Sequence, residues 1–160
     1  MEFTEFARAE TPRLLGLAYA LTGNPHDAWD LTQEALVRVA VRWRRLATQS
    51  PGGYARTVLV RLNIDRARRG RRELLTERAP DHAAPVEVVE ELPSWLLDAL
   101  DTLTPQQRAA VVLRVLDDLD HAAIATRLGC SAGTARSHLS RGLARLRELA
   151  PSMTGEQEDG

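Results

Sequence analysis

The chain has 160 residues, 44% hydrophobic and 27% charged, the make-up of a globular protein with one ordinary domain or two small ones, not of a disordered chain. Aromatics at 4%, with few β-branched residues beside Ala, Leu and Arg, favour helix over sheet, so an all-α fold is expected. No apolar run of about 18 residues exists, MEFTEFARAE lacks a leader's basic start and apolar stretch, and the single Cys130 excludes an internal disulfide. These features predict a cytoplasmic chain with no membrane partner.

The net charge of −1 conceals a segregated pattern: residues 1–80 carry +5, residues 81–107 carry −6, residues 108–150 carry +3 and the last ten −3. Two basic stretches around an acidic one mark separate modules. All 21 basic residues are Arg. A GC-rich genome produces that bias without functional demand, although a planar guanidinium also suits phosphates and base edges.

In chain order, the first helix is expected over 3–22, with Leu14, Leu17, Ala18 and Leu21 on one buried face and Gly23 ending it. Asn24-Pro25 restarts the chain as cap and first helical residue of a second helix over about 25–45. On it, Trp29, Leu36 and Trp43 recur every seven residues as a core or partner stripe. Asp27, Asp30 and Glu34 share another face with Gln33 beside them. That acidic face fits either plain helix N-terminal charge or a site for a basic protein partner.

Ser50-Pro51 opens a third helix to about residue 72, and ten Arg fall between residues 42 and 72. Asp65 can pair with Arg61 or Arg69, four residues away on either side, which leaves most of these arginines unmatched. A run of charge is often only a solvated surface. Trp43 and Tyr54 nearby also fit stacking platforms for unpaired bases, and either ring fits a core equally well. From Glu73 to Leu92 the helical pattern dissolves into a linker, which at full extension reaches at most roughly 70 Å.

Order returns at Pro93, with Trp95, Leu96, Ala99, Leu100 and Leu103 forming an apolar face. Thr104-Pro105-Gln106-Gln107 reads as a capping box before a helix over about 105–117 carrying Val111, Val112, Val115 and Leu116. Asp120 caps a further helix over 121–128, with Ile124 and Leu128 expected inside, and Gly129 ends it. Ser131 caps a last helix over 132–149, after which residues 151–160 form an expected disordered tail.

On that last helix Ala132, Ala135, Leu139, Leu143 and Leu146 face one way. Gly133, Thr134, Ser137, Arg141 and Ala144 face the other, flanked by His138 and Arg145. Small residues at the N-terminal end and Arg beyond suit a helix that enters a major groove. With the preceding helix and its glycine turn, the unit reads as a helix-turn-helix; an ordinary solvated helical hairpin has the same spacing.

The segments LAYALTGNPHDAWDLTQEALVRVAVRW and PGGYARTVLVRLNIDRARR resemble region 2 of a bacterial sigma-70 family sigma factor. LDTLTPQQRAAVVLRVLDDLDHAAIATRLGCSAGTARSHLSRGLARLRE resembles region 4. Two such regions, a short linker and nothing else resemble the extracytoplasmic-function (ECF) group, in particular its SigE-like actinobacterial branch. The resemblance implies region 2 in residues 1–72, a linker at 73–92 and region 4 in 93–150. It implies that Asp30, Gln33 and Glu34 dock on the β′ clamp helices of core RNA polymerase. Tyr54, Arg56, Arg61, Asn63, Arg68 and Arg69 then melt and hold the non-template strand of the −10 element. Ser131, Thr134, Arg136, Ser137, His138 and Arg141 read the −35 element of promoter DNA. An anti-sigma factor is a further implied partner, and no cofactor or small-molecule substrate is.

Three residues depart from the family pattern: Trp29 and Ala123 each stand where Glu is usual, and His138 where Arg is common. A neutral imidazole there weakens phosphate binding. Two rival classes are a stand-alone helix-turn-helix regulator binding duplex DNA as a dimer and a recombinase-like enzyme with a DNA-binding tail. The first leaves the acidic face of 27–34 without a use. The second lacks residues: His26, His82, His121 and His138 make no metal-spaced cluster, and no Gly-rich phosphate loop exists.

Overall fold

The structure, a computed structural model, describes residues 1–72 and 92–151, with side chains to residue 70 in the first stretch. The expected linker, apart from Leu92, and the expected tail beyond Pro151 lie outside the described residues. The described residues are helical throughout, with no strand: α1 Phe3–Thr22, α2 Pro25–Val41, α3 Trp43–Leu46, α4 Pro51–Arg72, α5 Ser94–Asp101, α6 Pro105–Leu116, α7 His121–Leu128 and α8 Ala132–Leu149.

The helix boundaries follow from local chemistry. Gly23 ends α1 at φ 68°, a left-handed conformation that costs glycine nothing, and its N–H returns to Tyr19 O at 2.7 Å. The Asn24 side chain then accepts from the N–H groups of His26 (2.9 Å) and Asp27 (3.1 Å), two donors that the first turn of α2 leaves open. Asn24→Ala is expected to destabilise the chain by about 1 kcal/mol, readable in thermal denaturation followed by circular dichroism. Thr104 and Gln107 form the reciprocal capping box of α6, each side chain bonding the other's backbone N–H.

The core stripe of α1 is the expected one, Leu14, Leu17, Ala18 and Leu21 all being buried. That of α2 is not. Ala28, Leu31, Thr32, Ala35 and Val39 go inside, because small residues let α2 lie close to α1. Leu36 and Trp43 pack at the margin, and Trp29 stays half-buried. The second helix also stops early: Arg42 leaves helical geometry (φ −108°, ψ 17°), which turns Trp43 onto Phe3 and Phe6 of α1 at ring-centroid distances of 5.6 and 5.2 Å. Trp43 thus belongs to an aromatic cluster that ties α3 to α1.

In the second half α6 is the central element, packed by α8, α7, α1 and α4. Every residue from Arg108 to Leu113 is therefore buried, with no amphipathic alternation. Its last turn runs out from between these neighbours, so Val115 and Leu116, apolar residues that this helix was expected to carry, are exposed, as is Trp95 on α5. Ile124 is buried as expected and Leu128 only half so. Buried residues of both halves form one continuous apolar cluster, joined where α1 meets α6 and where α4 meets α6 and α7.

Candidate nucleic-acid interface

The helix-turn-helix of α7 and α8 is built by three local devices. Asp120 accepts from Ala123 N at 2.8 Å and starts α7. Gly129, at φ 73°, ends it, and the N–H groups of Gly129 and Cys130 both return to Ala125 O. Ser131 Oγ then accepts from Thr134 N at 3.1 Å and donates to Thr134 Oγ1 at 2.9 Å. Ser131 and Thr134 thus spend part of their hydrogen-bonding capacity on starting α8.

Beyond the cap, Thr134, Ser137 and Arg141 project from the exposed side of α8, while Ala135, Leu139 and Gly142 face α6 and α7. His138 is half-buried at the edge. Burial first, and the neighbouring Arg141 second, hold its imidazole below its ordinary pKa, so it is neutral at physiological pH. Arg136 lies on the opposite flank, lining a hollow of about 260 Å³ with His121, Ser140 and Arg147. Of the six residues expected to read DNA, five share one side of α8 or its cap, and Arg136 is separate.

The six residues expected on α4 also divide. At 100° per residue, Tyr54, Arg61, Arg68 and Arg69 fall on one side of the helix and Arg56 and Asn63 on the other. Arg68 and Arg69 are exposed, with no hydrogen bond or ion pair among the described residues. Tyr54 is half-buried; Arg42 donates to its hydroxyl at 2.9 Å and lies 5.9 Å from its ring centroid, so a cation already borders this ring. Asn63 lines a cavity of about 370 Å³ with Asp27, Arg66 and Arg108. Asp65 pairs with neither Arg61 nor Arg69; Arg61 instead donates to Thr126 O and Arg127 O at the end of α7, at 2.9 and 3.3 Å.

On α2, Asp30, Gln33 and Glu34 occupy one side. Asp30 Oδ2 lies 3.4 Å from His26 Nε2. Glu34 is clasped by Arg66 at 2.6 Å and Arg38 at 3.2 Å, and the Arg66 hydrogen bond above all holds its carboxyl below the usual range. Two further residues of this side escaped the sequence reading: Val37 and Val41 are 60% and 78% exposed. Their four-residue spacing beside the acids was the available signal, but apolar residues on a helix are assigned to the core by default.

Among the described residues no group of His, Cys, Asp and Glu is placed to hold a metal ion, and no helix is long and apolar enough to cross a membrane. Residues 6–73 match the family model for sigma-70 region 2, and residues 94–146 that for sigma-70 region 4. An RNA polymerase sigma-E factor of Streptomyces antibioticus is 40% identical over 154 residues, covering 92% of this chain and 84% of the relative.

The chain belongs to the ECF sigma factors of the sigma-70 family.

The ECF RNA polymerase sigma factor SigE of Mycolicibacterium smegmatis is 37% identical over 164 residues, covering 95% of this chain and 63% of the relative. The fold is similar to that of the sigma factor RpoE from Bartonella quintana, solved in complex with the anti-sigma factor NepR. The TM-score is 0.71 at 26% identity, over 92% of this chain and 95% of that one. As a sigma factor the chain directs core RNA polymerase to specific promoters for DNA-templated transcription initiation, a regulatory role. Region 2 falls on α1–α4 and region 4 on α5–α8. The match to region 2 decides against a stand-alone helix-turn-helix regulator, which would have no use for it.

Proposed function

We propose that three helix faces of this sigma factor divide the work of initiation. Residues 1–72 act as a module in which α2 docks on core polymerase and α4 grips the opened −10 strand. Residues 93–150 act as a second module that sets α8 into the −35 major groove, the stretch 73–92 spans the distance between them, and 151–160 is a tail. The chain itself carries no catalytic residue and takes no cofactor or small-molecule substrate; polymerase performs the chemistry in the cell interior, where both work.

The observation that carries the reading is the exposed side of α8, where Thr134, Ser137 and Arg141 lie outward on a helix that the Gly129 turn and the Ser131 cap position. Arg141 has the reach and the fork geometry to pair with guanine O6 and N7. Arg136 and Arg147, on the other flank, suit a phosphate of the same groove, which fixes register without reading sequence. His138, neutral, adds no charge there. On α4, Tyr54, Arg68 and Arg69 offer a ring and free cations to an unpaired strand, where base stacking contributes about 1–3 kcal/mol per base.

For polymerase, the supporting feature is the exposure of Gln33, Val37 and Val41 on one side of α2, with the half-exposed Asp30 beside them. Glu34, already neutralised by two arginines, serves more to brace α2 against α4 than to meet a partner. An apolar pair ringed by polar groups has the anatomy of a protein interface. An anti-sigma protein belongs among the partners on the same reasoning, since it has these surfaces to cover.

Transcription reconstituted with core polymerase, with and without the chain, tests the function directly: specific initiation should depend on adding it. Asp30→Lys with Val37→Glu should weaken binding to core polymerase at least about tenfold, the scale of losing central interface contacts. Helix content should stay unchanged, because neither side chain is tied to α4. Undiminished capture of polymerase by this variant contradicts the docking face.

A further inference from the structure

Arg42 stands outside the residues assigned to the −10 strand, yet the fold brings it to the first of them, Tyr54, across 12 positions of sequence. Its backbone is fixed on both sides. The N–H returns to Val39 O at 3.0 Å, and the carbonyl accepts from Arg45 N at 3.1 Å and Leu46 N at 3.0 Å, so Arg42 both ends α2 and starts α3. Next to it, Trp43 is held on Phe3 and Phe6, and Leu46 is buried. From this anchored turn the Arg42 side chain, itself exposed, runs to the start of α4.

The donors and acceptors decide what this contact does to Tyr54. A guanidinium carries N–H donors and no acceptor, so in the 2.9 Å bond from Arg42 Nη1 the phenol oxygen accepts. The hydroxyl proton of Tyr54 is thereby turned away from Arg42, and among the described residues it is donated to nothing. Arg42 makes no ion pair among the described residues, in contrast to Arg56, which is 14% exposed and spends its charge on Glu10 at 3.4 Å. The Arg42 guanidinium also lies 5.9 Å from the centroid of the Tyr54 ring. A positive charge and an undonated O–H thus sit side by side at the surface, with no carboxylate among the described residues to satisfy either.

We infer that Arg42 and Tyr54 together form a phosphate site of the strand-binding face: the Tyr54 hydroxyl donates to a phosphate oxygen of the opened strand, and Arg42 supplies the charge. The inference rests on the reading of α4 as the strand-gripping helix, and it adds a residue that lies before α4, on the turn between α2 and α3. A base stacked on the Tyr54 ring leaves the hydroxyl, which lies in the plane of that ring, to reach the sugar–phosphate beside the base. Arg42 is already held at this place by the ring and its oxygen, so it loses less side-chain freedom to a phosphate than a fully solvated arginine does. Arg44 and Arg45, exposed on α3 and without a partner among the described residues, have no such anchor.

The test uses holoenzyme assembled from the full chain and core polymerase. The probe is a fluorescein-labelled promoter fragment whose −10 segment is held open by mismatches, and binding is read by anisotropy over a salt series. Arg42→Gln should weaken binding about three- to tenfold and lower the slope of log K against log salt by about 0.7, the value for one phosphate contact on a single strand. The loss should be the same whatever bases fill the open segment, since a phosphate contact carries no sequence information. Tyr54→Phe keeps the ring and removes the hydroxyl. In that background Arg42→Gln should cost less than it does in the parent, because the arginine has already lost its anchor. Helix content by circular dichroism confirms that the variants fold.

An unchanged salt slope in Arg42→Gln overturns the phosphate site whatever the affinity, and so does a loss confined to one base. Losses that simply multiply in the double variant overturn the pairing of the two groups. Arg68→Gln with Arg69→Gln separates this inference from the reading beneath it. If that variant holds the open fragment as well as the parent does, the assignment of α4 as the gripping helix falls and the site with it. If it binds more weakly while Arg42→Gln binds normally, the site at Arg42 alone falls.

Discussion

Arg141→Ala is expected to cost about 1–3 kcal/mol of promoter discrimination, a roughly 5- to 150-fold loss at sequences with the preferred base under Arg141. The size follows from what a bidentate arginine–guanine pair contributes when nothing else on the helix can replace it. Arg145, one turn further on, is held by Glu148 at 3.2 Å. His138 carries no charge at neutral pH, because burial and Arg141 itself hold its pKa down. Removing Arg141 relieves part of that effect, so the His138 pKa should rise toward its ordinary value, a shift that NMR titration can follow. Transcription from a set of −35 variants should show the loss concentrated at one base position. A loss spread evenly over all sequences would mark Arg141 as a phosphate contact.

Gly142→Val, one residue along, is expected to destabilise the protein by about 3 kcal/mol. That corresponds to a melting temperature roughly 6–12 °C lower for a chain of this length. Gly142 faces α6 at a point where a Cβ would stand 2.6 Å from Val111 Cγ2 and 3.3 Å from Gln107 O. One of those neighbours is backbone. The other is a β-branched side chain on a helix, with one dominant rotamer and little room to move. Replacing a mid-helix glycine ordinarily stabilises a helix by up to about 1 kcal/mol, so the overpacking must overcome that gain. Calorimetry should show the loss, and −35 duplex binding should fall with it, since α8 can no longer sit at its present distance from α6. A melting temperature equal to the parent's would mean that the two helices separate at little cost.

These neighbouring positions show where sequence reading succeeds and where it stops. Arg141 was legible because helical phase alone places it opposite Leu139 and Leu143. The importance of Gly142 was not: phase places it on the side of Ala135 and Leu146, but how closely Val111 of α6 approaches it there is no property of α8 alone. The same division runs through the molecule. Asn24, Thr104 with Gln107, Asp120, Gly129 and Ser131 were readable as helix ends because each acts on backbone groups within about four residues. The two regions and their order were readable because residues 6–73 and 94–146 each carry a local motif.

What escaped depended on elements far apart in the chain. Val115 and Leu116 continue a stripe that looks buried, but the neighbours of α6 end before them. The core of α2 follows alanines, not tryptophans, because close approach to α1 outweighs side-chain size. Arg56 and Arg61 look like free cations in a basic helix until Glu10, 46 positions before the one, and the end of α7, 65 positions beyond the other, accept hydrogen bonds from them. The sequence by itself determined the helices, their caps and the family to which their order belongs, since hydrogen bonds within a turn need no distant partner. Only the tertiary structure decided which arginines remain available to nucleic acid, because that depends on what α1, the end of α2 and α7 bring against α4, and no rule of local range contains it.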